Sequence, residues 1–408
     1  MRCLTTLQVT YINTVSVLGI LFEFTASGIA QAQFTNLHNF VGFAEGKTPA
    51  QIAISGSTVF GTASEGGANG EGTLWSYETS TAQFTNLHDF VRLADGKGPF
   101  PIAISGRTLF GTALEGGANE AGTLWSFDLD TDHYAKLHDF DSVSDGGAGY
   151  FIASTGRIII GTALYGGAND AGTLWSFDLE TDRFKKLYDF GSVFDGKGPF
   201  SIASMGRTVF GTTESGGAYG SGTLWSFDLD IDRFTKLYDF GSILEGYTFR
   251  RIALSDTAVF GTAAFGGVRN FGTLWSYELE RNQFVKLHDF IRAAEGSAPG
   301  SVAVLGSKVI GTNDIGMADV RGTLWSYEVA TSNFAKLYDF SSAKYGSAGT
   351  FIAISGRTVF GTASVGGANG DGTLWSFQIP EPLSLVLALI GIWSALHLSS
   401  FRPRQTQS

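Results

Sequence analysis

With 408 residues and a formal net charge of −11, the chain lacks the basic surface that binding nucleic-acid phosphates demands. Its 43% hydrophobic and 13% aromatic content rules out a disordered polymer, and 55 glycines against 8 prolines suit many short strands joined by tight turns. The one cysteine, Cys3, falls in the N-terminal segment, so the rest of the chain has neither disulfide nor thiol chemistry and must hold together by packing.

Residues 1–32 carry Arg2, an apolar run over 15–24, and then Ala30-Gln31-Ala32. Small residues at Ala30 and Ala32 fit signal-peptidase cleavage before Gln33, which predicts a secreted chain.

Beyond this leader the sequence repeats. The word GTLWS, followed by Phe or Tyr, begins at Gly72, Gly122, Gly172, Gly222, Gly272, Gly322 and Gly372, always 50 residues apart. A fixed period of this size marks a repeat architecture and overrides the domain count that length alone suggests. One unit reads in four pieces. An aromatic run at 72–77 is followed by a polar turn and the run 84–90. A loop with Asp95-Gly96 leads to Ile102-Ala103-Ile104-Ser105, and the Gly106-Arg107 turn leads to 108–112. A glycine-rich stretch at 115–119 returns to the next GTLWS. Short apolar runs bounded by Gly, Asp and Asn read as strands, and only the C-terminal tail has the length of a helix.

Four strands per repeat and seven repeats predict an all-β fold, a seven-bladed β-propeller of four-stranded blades, since ring closure removes exposed sheet edges. The strand at 34–40 should complete a blade whose other three strands lie at 351–377. The domain reading is a signal peptide at 1–32, the propeller at 33–378 and a sorting or anchor tail at 379–408.

The order of strand, Gly-Gly loop, aromatic strand, acidic turn and strand is similar to kelch-type propeller blades. The wording GGAN…GTLWSF resembles the GloVer tandem repeat, a bacterial family found on secreted proteins and without an assigned activity. The likeness covers about 34–377. It departs from kelch proper in the placement of the Gly pair, such as Gly116-Gly117, and of the Trp. The tail resembles a PEP-CTERM sorting signal: Pro380-Glu381-Pro382, an apolar run at 383–398, then Arg402 and Arg404. That resemblance implies an exosortase-type partner, a transient C-terminal membrane helix and delivery to the cell surface or extracellular polymer.

Several residues invite a chemical reading. Trp75, Trp125, Trp175, Trp225, Trp275, Trp325 and Trp375 could stack on sugars, but their Leu and Phe or Tyr neighbours place them in the packing between blades. His38, His88, His138 and His288 share a repeat position with Tyr188, Tyr238 and Tyr338; a metal ligand or general base would not exchange with Tyr, whereas an aromatic packer would. The acidic hairpins, such as Asp128-Asp130-Asp132, could hold calcium weakly or simply make their own turn. The GGAN loops match no phosphate-binding pattern.

The loop before each first strand carries an acid followed by Gly at Glu45, Asp95, Asp145, Asp195, Glu245 and Glu295, with Tyr345 in the last copy. Five residues on stand Ala50, Phe100, Tyr150, Phe200, Arg250, Gly300 and Thr350. The acids either shape the loop or meet a ligand. The candidate ligand site is Phe100, Tyr150 and Phe200 with Asp95, Asp145 and Asp195, because aromatic faces pack on sugars and carboxylates accept hydroxyl hydrogen bonds. The arc with Arg250, Gly300 and Thr350 is expected to contribute less. No catalytic residue, metal or cofactor is indicated. The function expected is a non-catalytic binding or structural module of the envelope, with extracellular polysaccharide or envelope proteins as partners. The alternatives are a polysaccharide lyase or glycosidase on the same fold, or a pure interaction scaffold.

Overall fold

The structure, a computed structural model, describes residues 33–191, 193–315, 320–341 and 351–380. Its described strands form seven four-stranded antiparallel sheets. Blade 1 consists of β2 (Lys47–Ser55), β3 (Thr58–Glu65), β4 (Thr73–Glu78) and β5 (Gln83–Asp89), in that order. Blades 2 to 6 repeat it over 97–139, 151–189, 197–239, 247–289 and 297–341. Blade 7 joins β26 (Phe351–Ser355), β27 (Thr358–Ala363) and β28 (Thr373–Gln378) to β1 (Gln33–Asn39). The first strand of each blade lies beside that of the next, and β26 lies beside β2, so the array closes. Contacts group residues Phe34–Ser376 as one compact unit and the two termini as another.

The repeated words each have a structural reason. Gly61 faces Trp75 across β3 and β4, and a Cβ there would overlap the indole; the same Gly–Trp pairing recurs in the other blades. The seven tryptophans of the repeats are fully buried. Trp75 sits among Ile52, Val59 and Tyr77 of its own blade and Phe40, Phe360 and Leu374 of blade 7, which confirms packing between blades. The GGAN loop is tied to the end of the fourth strand of its own blade. Asp89 accepts the Ala68 N–H at 2.7 Å, and the Asn69 side chain donates to the Phe90 carbonyl at 3.1 Å. Gly67 takes a positive φ of 76°, and a Cβ there would strike the Asp89 carboxylate.

Closure uses the same bonds across the chain ends. In blade 7 Asn39 accepts the Ala368 N–H, Asn369 donates to the Phe40 carbonyl at 2.9 Å, and the Phe40 N–H meets the Gly372 carbonyl at 3.1 Å. The predicted completion of the last blade by the N-terminal strand is therefore found. Because β1 ends where β28 begins, Phe34 and Ser376 both lie at the opposite edge, on the face of the short hairpin turns.

Two local readings are corrected. Two of the acid–Gly loops close into a single helical turn, Gly42–Glu45 and Arg292–Glu295, too short to leave a periodic signal. The first strand of a blade also starts earlier than Ile102 suggests: β6 spans Lys97–Ser105, so residues assigned to a loop belong to the inner wall. No helix among the described residues is long and apolar enough to cross a membrane. The leader with Ala30 and Ala32, the tail residues Glu381, Pro382, Arg402 and Arg404, the apolar run 383–398, and Tyr345 and Thr350 lie outside the described residues.

Candidate functional site

The long loops of each blade emerge together, because Lys47, at the start of β2, pairs with Glu65, at the end of β3. On this face the repeated acids are engaged by the protein itself. Asp95 lies 3.1 Å from the Nε2 of His88 and accepts the Val91 N–H at 3.0 Å. Asp145 does the same with His138 and the Asp141 N–H. Asp195, 5% exposed, accepts the Tyr188 hydroxyl at 2.7 Å and the Gly191 N–H at 2.8 Å. Glu45, Glu245 and Glu295 repeat the latch. His and Tyr exchange at this position because each offers a flat ring and a polar tip. His88 stacks on Tyr134 of the next blade and Tyr188 on Phe234, and both tips reach the acid seven residues on. The acids thus shape their loops; Asp95, Asp145 and Asp195 do not join the aromatic residues predicted to accompany them.

Phe100, Tyr150 and Phe200 are brought toward the ring axis, but against other side chains. Phe100 packs edge-on to Tyr150 at 5.4 Å and to Phe351 of blade 7 at 5.1 Å, while Phe200 packs on Phe151 at 4.7 Å. All three are half-buried. From the far side, the guanidinium of Arg251 lies over Phe351 at 3.8 Å and over Phe151 at 4.4 Å. These contacts, from blades 2, 3, 4, 5 and 7, span the axis and floor the funnel.

The arc expected to matter least carries the unusual chemistry. In β18 (Tyr247–Leu254), Phe249 pairs with Ala263 but Ile252 pairs with Gly261, so Arg250 and Arg251 share a bulge. A bulge breaks the alternation of a strand and lets consecutive side chains serve one face. Glu214 from blade 4 and Asp314 from blade 6 lie close enough to couple electrostatically to Arg250. The Asp314 carboxyl is raised by burial, which outweighs the opposing pull of Arg250 and Arg251. Glu214 is solvent-exposed, but the surrounding wall strips enough water to raise its carboxyl too. Burial lowers Arg251 to about 9, with Arg250 adding to the shift. Among the described residues none of these four makes a hydrogen bond or ion pair, and the Arg250 Nε is enclosed without a partner.

Exposed aromatic residues stand on the same long-loop face, with Lys236 over the ring of Phe194 at 4.2 Å. Tyr165 is 62%, Phe194 66% and Tyr219 70% exposed, with Phe265 stacked on Tyr247 at 5.6 Å. Tyr219 stands where other loops have the tying Asn, and its ring lies over Gly241. A tie between blades also lapses here. Thr62 and Thr112 donate to the carbonyls of Phe100 and Gly149 in the next blade, whereas the hydroxyls of Thr162 and Thr212 have no partner among the described residues. The departures from the repeat gather over blades 3 to 6.

Comparisons with known proteins agree with the ring. An oligogalacturonate lyase from Vibrio parahaemolyticus superposes with a TM-score of 0.58 at 13% identity, covering 86% of this chain and 95% of its own. The xyloglucanase of Xanthomonas campestris gives 0.56 at 13%, covering 84% of this chain and 55% of its own. The computationally designed Ika8 protein gives 0.51 at 15%, covering 82% and 98%. At such identities the likeness shows the fold alone. Compared with curated protein sequences, the chain matches none. The profile of the Gloeobacter/Verrucomicrobia repeat matches residues 7–156 and 147–317, most of the chain, in keeping with the repeat wording and the seven blades. The chain belongs to the Gloeobacter/Verrucomicrobia repeat family.

Proposed function

We propose that the protein is a non-catalytic glycan-binding module displayed at the outer surface of a cell envelope, with its ligand site on the long-loop face over blades 3 to 6. One observation carries this reading: the face that bears exposed Tyr165, Tyr219 and Phe265 also holds Glu214, Arg250, Arg251 and Asp314, which make no hydrogen bond or ion pair among the described residues. Aromatic faces next to carboxylate and guanidinium groups match the alternating apolar and hydroxyl surfaces of a sugar. Phe100, Tyr150 and Phe200 serve as the base of that site.

Display follows from the chain ends. The leader at 1–32 carries the chain across the membrane, and the tail at 379–408, with Pro380-Glu381-Pro382, the apolar run at 383–398 and Arg402 and Arg404, is read by an exosortase-type enzyme. Mass spectrometry of the envelope protein tests processing, with a chain starting at Gln33 and ending near 380–382 expected. Binding is tested by retention on the producer's exopolysaccharide. Joint replacement of Tyr165, Tyr219 and Phe265 by Ala should abolish it, and unchanged retention by the folded triple variant would refute the site.

A second reading is favoured by Glu214 and Asp314, since carboxyls raised by their surroundings are suited to general acid work. A lyase or glycosidase would release new chain ends from the bound polymer; a reducing-end assay separates it from a binding module.

A further inference from the structure

We infer that Glu214, Arg250, Arg251 and Asp314 form a hydroxyl-reading cup for the terminal residue of a neutral glycan chain. This deepens the glycan-binding reading and rests on it. Each of the four departs from most of its repeat column. Glu214 stands where other blades have Ser64, Leu114, Leu164, Ala264 and Ser364, a column in which Asp314 is the second acid. Arg250 replaces Ala50, Phe100, Tyr150, Phe200 or Gly300, and Arg251 replaces Gln51, Pro101, Ser201 or Ser301. The frame does not need them, because the other blades stand without them.

Their chemistry narrows the ligand. Two guanidinium groups only donate hydrogen bonds and two carboxylates only accept them. A sugar hydroxyl does both, so neighbouring hydroxyls can bridge an arginine and an acid of this set. The formal charges cancel, which removes the attraction that a uronate or sulfated sugar would require, and any anionic group entering here meets Glu214 or Asp314. The floor decides the binding mode. Arg251 between Phe151 and Phe351, and Phe100 against Phe351, close the axis beneath the cup. A chain cannot thread through, so it enters by its end, with exposed Tyr165, close to Tyr150, placed to stack on the following residue.

The test uses the mature propeller, with cellohexaose, maltohexaose, mannohexaose and xylohexaose as neutral probes and hexagalacturonate as the acidic one, by calorimetry. At least one neutral hexamer should bind, and hexagalacturonate should bind more weakly. Glu214→Gln and Arg250→Gln should each weaken binding by about tenfold or more, the loss of one charge-assisted hydrogen bond. On the polymer of the bound sugar, protein retained per unit mass should rise with endo-cleavage, as ends multiply. A preference for hexagalacturonate, or retention independent of chain ends, overturns the inference. If Tyr219→Ala loses binding while Glu214→Gln and Arg250→Gln keep it, the quartet is not the site but the glycan reading stands. If the folded wild type binds no probe and is not retained on the producer's exopolysaccharide, both fall. Melting curves confirm that each variant is folded.

Discussion

On the hairpin face, Asp128 accepts the N–H groups of Asp130 and Thr131 and the Thr131 hydroxyl, and Asp228 accepts the Asp230 N–H. These acids serve the turns they belong to, while the Arg107–Asp130 and Arg207–Asp230 pairs link neighbouring turns and Ser105 donates to the Gly156 carbonyl of the next blade. On the long-loop face a side-chain latch, the acid with its ring partner and one N–H, fixes each connection, and the Gly42 and Arg92 carbonyls accept the N–H groups of Gly67 and Gly117 in the Gly-rich loops. The side chains between are less constrained, and they carry Val41, Phe43, Val91, Leu93, Val193, Phe194 and Leu244 into solvent. Of the exposed large apolar side chains among the described residues, only Ile231 and Val329 lie on the hairpin face. The same repeats thus yield one acidic, locally satisfied face and one apolar, loosely committed face. A tight turn leaves nothing to vary, whereas a loop held by a latch and a backbone bond tolerates variation between them, so ligand chemistry collects on the second.

Both faces depend on a closed ring, and the largest effect should come from opening it. Deleting residues 33–40 removes the fourth strand of blade 7 and exposes β28 as an edge. We expect loss of the monomer on gel filtration and of the main thermal transition. A deletion variant that stays monomeric with an unchanged melting temperature would refute closure as the common support of the two faces.

The next pair sets face against face. Asp195→Ala leaves the half-buried Tyr188 hydroxyl and the Gly191 N–H without their acceptor and should cost about 1–3 kcal/mol in denaturant melts. It should also speed proteolysis in the 190–197 loop. Asp128→Ala on the hairpin face removes exposed bonds that water can replace and should cost less. If the hairpin change proves the more damaging, the latch does not carry its loop.

Most of the frame could be read from the sequence, because a repeat of constant length prints its own architecture: strand count, blade count and the closing partner follow from where the words begin and end. The spacing of the latch was also present, His88 to Asp95 matching Tyr188 to Asp195, yet spacing does not reveal that the loop folds back on the strand before it. The funnel was hidden by the bulge. A regular strand sends residues 250 and 251 to opposite sides, so nothing in a two-residue alternation predicts two arginines at one axis. The signal that survives is column-wise: Glu214, Arg250, Arg251 and Asp314 are charged where their columns are mostly small, apolar or uncharged. Phe100, Tyr150 and Phe200 were legible as a set, but their packing on Phe151 and Phe351 depends on contacts across the ring that no local pattern encodes.

The smallest effect tests whether the long-loop face holds charge at the expense of stability. Burial raises the Asp314 carboxyl, so the folded state binds its proton more tightly than the unfolded chain does. The sign follows. Below the unfolded value, near pH ~4, the group is protonated in both states and costs nothing. As pH rises above the unfolded value, ionisation favours the unfolded chain, and the penalty on the native state grows until pH passes the raised folded value. Asp314→Asn removes the charge and keeps the shape. It should therefore raise the melting temperature slightly at pH 7, with the gain shrinking toward zero as the pH falls to about 4. The matching change on the hairpin face, Asp128→Asn, should behave oppositely. Hydrogen bonds from Thr131 and Asp130 lower the Asp128 carboxyl, so its contribution is present at neutral pH and is lost on acidification. Melting curves of the two variants across pH 4 to 7 should diverge in sign at the neutral end. A destabilised Asp314→Asn at pH 7 would mean that Arg250 and Arg251 already repay the burial of that carboxylate, and the cup would be a structural ion cluster rather than a site kept open for a ligand.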